Sequence, residues 1–340
     1  MIEAAFPLLG TAFVVLIVLP ACALIAKAGL LVLERSETGG PLHGLSLRYV
    51  LLTGSSVLPL AWLLSAGVHQ AESGRSALAC LFDHDAAERC FEPGFFALTL
   101  AAVVAWSAFA AKQRHRAPRA GTSKAAVALG ARIERIIKRS PQLHRLRDRI
   151  VATDDSSVTL GTHGWFLPRI FIGTAFAEQL SEDMLASAFG HEAEHVTAHD
   201  PLRYLMLQLA LGVNPLGRFL LEPHAGRWLA GREAQCDREA VIHGAAPLPL
   251  ADAIVRAARP SAGQAVALGA PDIQVLKFRI GMLLAFAERA PLPKPHYGSA
   301  VSPLGFLLLF TALLLPHHAS TAALDVLHAS VEHAFTYVWR

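Results

Sequence analysis

The chain has 340 residues, 53% of them apolar, with a mean hydropathy of +0.41 and a formal net charge of +3. An ordinary soluble enzyme is less apolar than this, so the composition excludes that class. It predicts a mostly α-helical integral membrane protein.

Four apolar segments have about the length, roughly 20 residues, that a membrane-spanning helix needs. No Lys or Arg precedes the first of them, and its apolar run continues past Cys22, so we do not expect a signal peptide there. The segments lie at 5–33, 45–68, 94–111 and 299–315. They divide the chain into residues 1–111 with three spans, residues 112–296 between the third and fourth spans, and residues 297–340 with the last span and a short tail.

The distribution of charge orients these spans. Residues 112–149 carry twelve Lys or Arg residues against Glu134 and Asp148, and basic loops stay in the cytoplasm. The loop at 69–93 has an excess of acidic residues, which suits the external side. We therefore expect a bacterial inner-membrane protein with both termini external and residues 112–296 in the cytoplasm. The basic loop has no interleaved aromatic residues, so membrane lipid, and not nucleic acid, is its expected partner.

Cysteine and histidine positions agree with this topology. Cys80 and Cys90 lie in the external loop and predict a disulfide, with two free thiols or two metal ligands as the alternatives. Cys236 lies in the reducing cytoplasm, and Cys22 lies in a span. Scattered exposed histidines usually bind nothing, so a metal-sensing role is the weaker interpretation of the external ones, His69, His84, His317 and His318.

The first part of the cytoplasmic segment predicts one helix and three strands. Residues 127–149 alternate apolar and basic side chains at helical spacing, with a break expected at Pro141. The strands are predicted at 150–153, 157–160 and 169–173. The third strand, with Ile170, Phe171 and Ile172, is expected to be an edge to which an extended substrate adds as a further strand. A core strand is the alternative.

The run from His191 to His195 contains the HExxH motif of zinc peptidases. Its helix is predicted to open at Ser181, with acidic residues in the first turn. Residues at i and i+4 share one face of a helix, so His191 and His195 can bind one zinc ion. Glu192 would then stand beside the water on that ion and act as general base.

The third ligand must come from another segment. A metzincin would need Gly at position 198 and His at 201, where this chain has Ala198 and Pro201. His199 lies about 12 Å from His191 along a helix, too far to share an ion. A later helix, predicted at 226–243, is therefore the expected source.

That helix places Glu233 and Asp237 on one face. We expect Glu233 to bind zinc and Asp237 to orient a ligand histidine, with Asp200 as a further acceptor near the site. Glu222 is a weaker ligand candidate because Pro223 should break any helix that carries it. Two alternatives stay open: Cys236 as a thiolate ligand, and a solvated acidic face at Glu233 and Asp237.

Two further helices are predicted, at 250–259 and at 273–286, the second leading back toward the membrane. The sequence does not identify the group that stabilises the oxyanion. Arg238 and His243, both within the predicted ligand helix, are the two candidates for this role.

In chain order, the chain carries the motifs Pro168 to Ile172, Leu180 to Leu185, His191 to His195, Asp200, Asn214-Pro215 and Glu233 to Asp237. These motifs resemble those of the BlaR/MecR family of antirepressor membrane zinc metallopeptidases, which are gluzincins. The layout of three spans, a cytoplasmic zinc domain and a fourth span resembles that family too. The resemblance implies a cytoplasmic α+β zincin-like domain with zinc on His191, His195 and Glu233 and with Glu192 as base.

The family resemblance also implies a role. An external signal would cross the spans, activate the peptidase and lead to cleavage of a cytoplasmic repressor, of the enzyme itself, or of both. The beta-lactam sensors of that family carry a penicillin-binding domain after the last span, whereas only residues 316–340 follow it here. The signal is therefore expected to enter through the 69–93 loop, the tail or an external partner protein, and the alternative is that the chain is not a sensor. A homodimer is left open.

Two alternatives to this function are kept. One is a membrane-protein quality-control peptidase of the HtpX type, which has the same zinc motif, an Asp five residues after it and a Glu-x-x-x-Asp helix. The other is a receptor or scaffold that retains the zincin fold and cleaves nothing. An intact Glu192 disfavours the scaffold, because a scaffold does not need a base.

Overall fold

The computed structural model describes residues 14–35, 42, 44–73, 105, 118–258 and 273–288, and the backbone alone at 14 and at 61–73. These residues are mostly helical, with one small sheet. The predicted Cys80–Cys90 disulfide, the side chain of His69 and the predicted span at 299–315 lie outside what it describes. So do His84, His317, His318 and all of the predicted span at 94–111 except Ala105.

The chain begins with two long apolar helices. Helix α1, Leu19–Arg35, follows a π-helical turn at Val14–Val18, and helix α2 is Leu45–Ser73. Among the described residues, one helix, Val15–Arg35, is long and apolar enough to cross a membrane, with a mean hydropathy of 2.5 and 22% of its apolar window buried. The apolar part of α2 that the structure describes, Leu45–Leu60, is shorter than a span.

The amphipathic segment forms two elements, as its proline predicts. Helix α3 is Lys124–Arg139, and a 3₁₀ helix, Pro141–Arg149, follows it. The break at Pro141 is confirmed, but α3 begins three residues before the predicted start because Ser123 caps it and accepts a hydrogen bond from the Ala126 N–H. The carboxylate of Asp154 in turn accepts the backbone N–H of Ser123, which ties this cap to the sheet.

The sheet has three strands, β1 at Ile150–Thr153, β2 at Leu160–His163 and β3 at Arg169–Gly173. The order is β1-β3-β2, with β3 parallel to β1 and antiparallel to β2. The prediction that Ile170, Phe171 and Ile172 form an edge strand is therefore wrong. They lie on the central strand and are buried, because β1 and β2 take the backbone groups on both sides.

The second predicted strand is also displaced. It was expected at 157–160, but β2 begins at Leu160. Asp155 explains the difference, because its carboxylate accepts hydrogen bonds from both the backbone N–H and the hydroxyl of Ser157 and so holds a turn there.

The remaining helices build the half of the molecule that carries the metal motif. A short helix, α4 at Thr174–Ala177, leads from β3 into α5 at Glu182–Thr197. The predicted cap is confirmed, since the Ser181 hydroxyl accepts the N–H of Met184. His199 has a left-handed φ of 54° and turns the chain into the next helix. The later helices are α6 at Asp200–Val213, α7 at Gly217–Ile242, α8 at Pro247–Ala257 and α9 at Ile273–Ala287.

Helix α7 is longer than predicted. It starts at Gly217 instead of 226 and contains Pro223, so the expectation that this proline breaks the helix is wrong. The proline is exposed on the outer face. The helix continues through it because its other face, with Leu221, Ala225 and Trp228, packs in a buried cluster with α1, α2 and α6. Here tertiary packing outweighs the intrinsic preference of one residue.

Candidate metal centre

Helix α5 brings the two motif histidines together, as their spacing predicts. His191 and His195 are buried, and their Nε2 atoms lie 3.1 Å apart. Gly190 lets α5 pack closely on the turn between α7 and α8, because a Cβ at that position would lie 3.2 Å from the Cβ of Ala245.

Glu233 on α7 supplies the third donor. Its Oε2 lies 3.4 Å from His191 Nε2, and its Oε1 lies 3.3 Å from His195 Nε2. Zinc bonds nitrogen and oxygen at about 2.0–2.1 Å, and the edge of such a tetrahedron is about 3.3 Å, so these three separations fit one ion. The structure brings together all three predicted ligands, His191, His195 and Glu233.

The two acidic residues expected to orient the histidines lie behind them. His195 Nδ1 and Asp200 Oδ2 are 2.7 Å apart and form a hydrogen bond. His191 Nδ1 lies 2.7 Å from Asp237 Oδ1, a charge contact and not a well-aligned hydrogen bond. Both contacts occupy the Nδ1 atoms and leave the Nε2 atoms for a metal, which is the arrangement that ligand histidines need.

The charges around these imidazoles also fit a divalent cation. Glu192, Glu233, Asp200 and Asp237 stand against the guanidinium groups of Arg232 and Arg279, which leaves a formal charge of −2. Without a metal, the excess negative charge raises the pKa of the imidazoles. Burial lowers the pKa of His191, but Asp237 and Glu233 outweigh burial and raise that pKa to about 10.

Glu233 shows the reciprocal effect. Burial by itself raises the pKa of its carboxyl, while hydrogen bonds from His191 and His195 lower the pKa well below its usual range. The carboxylate is therefore held in the charged form that a metal ligand requires.

Glu192 has a partner that the sequence did not reveal. The hydroxyl of Thr162 on β2 donates a hydrogen bond of 2.7 Å to Glu192 Oε2. The bond fixes one oxygen of the carboxylate and leaves the other for a proton. The sequence does not predict this contact, because the second strand is predicted at 157–160 and that prediction leaves Thr162 outside the sheet.

Arg279 on α9 is the second residue that the sequence missed. Its Nε and Nη2 donate to the two oxygens of Asp237 at 2.6 and 2.9 Å, and its Nη1 lies 3.2 Å from Glu233 Oε2. A two-pronged Arg–carboxylate contact fixes orientation as well as charge. Arg279 thus connects α9 to Glu233 and Asp237 of α7.

A cavity of about 260 Å³ opens beside the metal donors. Its polar wall is formed by His191, Glu192, Glu233 and Arg279. Its other walls are apolar and come from β2, α4, α5, α8 and α9, with Leu160, Phe176, Leu250, Ile254 and Leu276 among them. Such a pocket suits an apolar group placed next to the metal donors and Glu192.

Cys236 is close to the centre but fits the metal less well. Its thiol is buried, 3.5 Å from His195 Nδ1 and 3.8 Å from Asp200 Oδ2. In the set of His195, Asp200 and Cys236, Asp200 Oδ2 already accepts hydrogen bonds from His195 and from Arg232 Nε. In the set of His191, His195 and Glu233, the histidine atoms available to the metal are the Nε2 atoms, whereas Asp200 and Asp237 contact the Nδ1 atoms.

The other candidates lie elsewhere. Glu222 is exposed on α7, so it is not brought to the histidines. Arg238 pairs with Glu239, and His243 pairs with Glu194, and neither lines the cavity. The structure therefore does not place these two residues where an oxyanion would form.

No family model, no curated protein and no solved structure matches this chain.

Proposed function

We propose that this chain is a membrane zinc endopeptidase of the bacterial inner membrane that hydrolyses peptide bonds in a cytoplasmic protein. The observation that carries the proposal is the convergence of His191, His195 and Glu233 beside Glu192 at one cavity. The charge balance and the tetrahedral separations support zinc as the ion. The mostly exposed apolar helix Val15–Arg35 supports a membrane location.

In this proposal His191, His195 and Glu233 hold zinc. When bound, zinc supplies a Lewis acid that polarises the scissile carbonyl and lowers the pKa of water. Glu192 takes a proton from the attacking water and later delivers it to the amide nitrogen as the C–N bond breaks. Thr162 orients Glu192 for both transfers. Asp200, Asp237 and Arg279 keep the ligands in place.

The topology remains part of the proposal. We propose four spans, external termini, and a peptidase domain at 112–296 in the cytoplasm, on the basis of the charge distribution. The proposed activity is regulated proteolysis of a repressor, of the enzyme itself, or of both, by analogy with the BlaR/MecR family. This analogy rests on the sequence motifs and on the predicted layout of the spans.

We propose that an extended substrate adds as a further strand to β2 and not to β3. Strand β2 is an edge of the sheet, and its Thr162 contacts the proposed base. The N–H of Gly173 donates to Thr159 O, so the alternation of an antiparallel ladder turns the N–H groups of Leu160 and Thr162 away from β3. These groups are the expected donors to a substrate backbone.

Proline at position 160 tests this edge. Leu160→Pro removes one outward N–H without breaking the β2–β3 ladder, and an edge strand tolerates proline. We expect kcat/KM to fall about two- to tenfold below that of Leu160→Ala, the value of one hydrogen bond of about 0.5–1.5 kcal/mol. Leu160→Ala is the matched control, since it loses the cavity-lining side chain and keeps the N–H. Equal values of kcat/KM for Leu160→Pro and Leu160→Ala would show that the substrate does not pair with β2.

Identification of cleavage products tests the function as a whole. Cells that contain the active protein or its Glu192→Gln variant are compared by mass spectrometry of newly formed protein termini. One or two defined soluble products that depend on Glu192 support regulated proteolysis. Many fragments of unrelated membrane proteins would favour quality control. No Glu192-dependent product, with zinc bound in both proteins, would support the scaffold and overturn the peptidase.

A further inference from the structure

Helices α6 and α7 form a hairpin that runs along the two N-terminal helices. At its base, the Tyr49 hydroxyl on α2 donates to the carbonyl of Arg203 at 3.3 Å. Further along, the buried Ser56 hydroxyl on α2 donates to the carbonyl of Ala210 at 2.7 Å. The second contact is seven residues further along both helices than the first, from Tyr49 to Ser56 and from Arg203 to Ala210. Helix α6 therefore runs beside α2 in the same direction.

The far end of the hairpin lies against α1. The side-chain amide of Asn214 donates to the carbonyl of Leu19 at 2.6 Å. On the return path, His224 Nδ1 on α7 lies 2.6 Å from Glu34 Oε1, near the other end of α1. Leu19 and Glu34 are separated by about 22 Å of helix, so the hairpin follows most of the apolar length of α1.

These contacts with α1 and α2 show how deep the hairpin would lie in a membrane that α1 crosses. Glu34 also pairs with Arg48 and Arg227, and this charged cluster marks the polar end of the apolar helix Val15–Arg35. From Arg203 to Asn214, α6 rises about 16 Å by helical geometry. If Val15–Arg35 crosses a bilayer whose apolar core is about 30 Å thick, the hairpin tip lies about 16–22 Å from the polar end and therefore well inside the apolar core.

The composition of the tip suits that depth. Between residues 205 and 221 the polar side chains are Gln208, Asn214 and Arg218. Phe219 is 83% exposed, and Met206 and Leu216 are also exposed, on the same molecule whose α1 exposes Leu24 and Ile25. Arg218 lies in the first turn of α7, and its long side chain can carry the charge toward the head groups.

The turn of the hairpin also satisfies its own backbone. Pro215 has no N–H, the N–H of Leu216 donates to Asn214 Oδ1, and the N–H of Gly217 donates to the carbonyl of Asn214. The turn is tight enough that a Cβ at Gly217 would lie 2.8 Å from the carbonyl oxygen of Leu211. Irregular backbone survives at membrane depth only when its polar groups are satisfied within the protein.

From these contacts we infer that the tip of the α6–α7 hairpin, residues 205–221, is embedded in the hydrocarbon region and contacts lipid acyl chains. The inference rests on the membrane location in the proposed function and adds a membrane-inserted element to a domain that the sequence placed wholly in the cytoplasm. It also places the metal centre near the membrane. Glu233 is nine positions after His224 on α7, about 14 Å of helix from the charged cluster.

Photolabelling from within the bilayer tests this placement. The full chain is reconstituted in vesicles that contain a phospholipid with a diazirine at the end of one acyl chain, irradiated and digested with trypsin. We expect acyl adducts on peptides 204–218 and 219–227. Peptide 150–169 is the matched control, because it presents Phe166 at 74% exposed and Leu167 at 78% exposed in the loop after β2. Labelling of the hairpin peptides should exceed that of the control about tenfold or more, as expected for apolar side chains in lipid and not in water.

Peptide 1–27 separates the two ways in which this experiment can fail, because it contains the exposed Leu24 and Ile25 of α1, about 14–15 Å of helix from Glu34. Labelling of 1–27 with hairpin labelling at the level of 150–169 would overturn the embedded hairpin alone. Background labelling of both would overturn the membrane location of α1 as well. The zinc centre is measured independently, by zinc content and by the products that depend on Glu192.

Discussion

Glu192→Gln is expected to lose cleavage by a factor of about 10²–10⁴, the usual contribution of a general base, while it retains zinc. The amide keeps the size of the carboxylate and can still accept the hydrogen bond that Thr162 donates to Oε2. It cannot take a proton from water at neutral pH. Because Glu192 lines the cavity and is not among the three metal donors, the site should still fill with metal.

The measurement is zinc content per protein by elemental mass spectrometry, with the rate of product formation on the same sample. Thr162→Val is the companion variant, since it removes the hydroxyl and keeps a side chain of similar shape on β2. It should lower kcat less than Glu192→Gln, because the base remains and only its orientation is lost. A Glu192→Gln protein that loses zinc as completely as it loses activity would make Glu192 a ligand and contradict the assigned roles.

Local sequence patterns predicted the parts of this site that lie within single helices. The i, i+4 spacing of His191 and His195 fixes one face of α5, and the same spacing places Glu233 and Asp237 on one face of α7. The Ser181 cap and the break at Pro141 are also local signals, and both are found in the structure. These predictions succeeded because they need no knowledge of how distant segments pack.

The predictions that failed depend on distant segments. Strand order cannot be read from the apolar pattern of 169–173, since a buried run fits either a central strand or an edge beneath a helix. Thr162 meets Glu192 only because β2 pairs with β3, and Arg279 meets Asp237 only because α9 packs on α7. Pro223 was expected to end a helix by its own chemistry, but the packing of Leu221 and Trp228 maintains α7 across it.

Zinc binding should separate two glutamates of the same helix. Glu233→Ala is expected to weaken zinc by more than the roughly 10–100-fold that loss of an outer partner costs, because it removes one of three protein donors. Glu222→Ala should leave zinc unchanged, since Glu222 is exposed and away from the histidines. Both changes remove a carboxylate from α7, so any general effect on that helix appears in both proteins.

Two more variants define the outer contacts in the same assay, which is a zinc titration against a competing chelator. Asp237→Asn should weaken zinc by about 10–100-fold, because His191 loses the carboxylate at its Nδ1 while its Nε2 stays in place. Cys236→Ala should bind zinc as the unmodified protein does, since the thiol lies on the Nδ1 side of His195. A loss of zinc in Cys236→Ala together with its retention in Glu233→Ala would select the centre of His195, Asp200 and Cys236. That result would also remove the basis for placing Glu192 beside the metal.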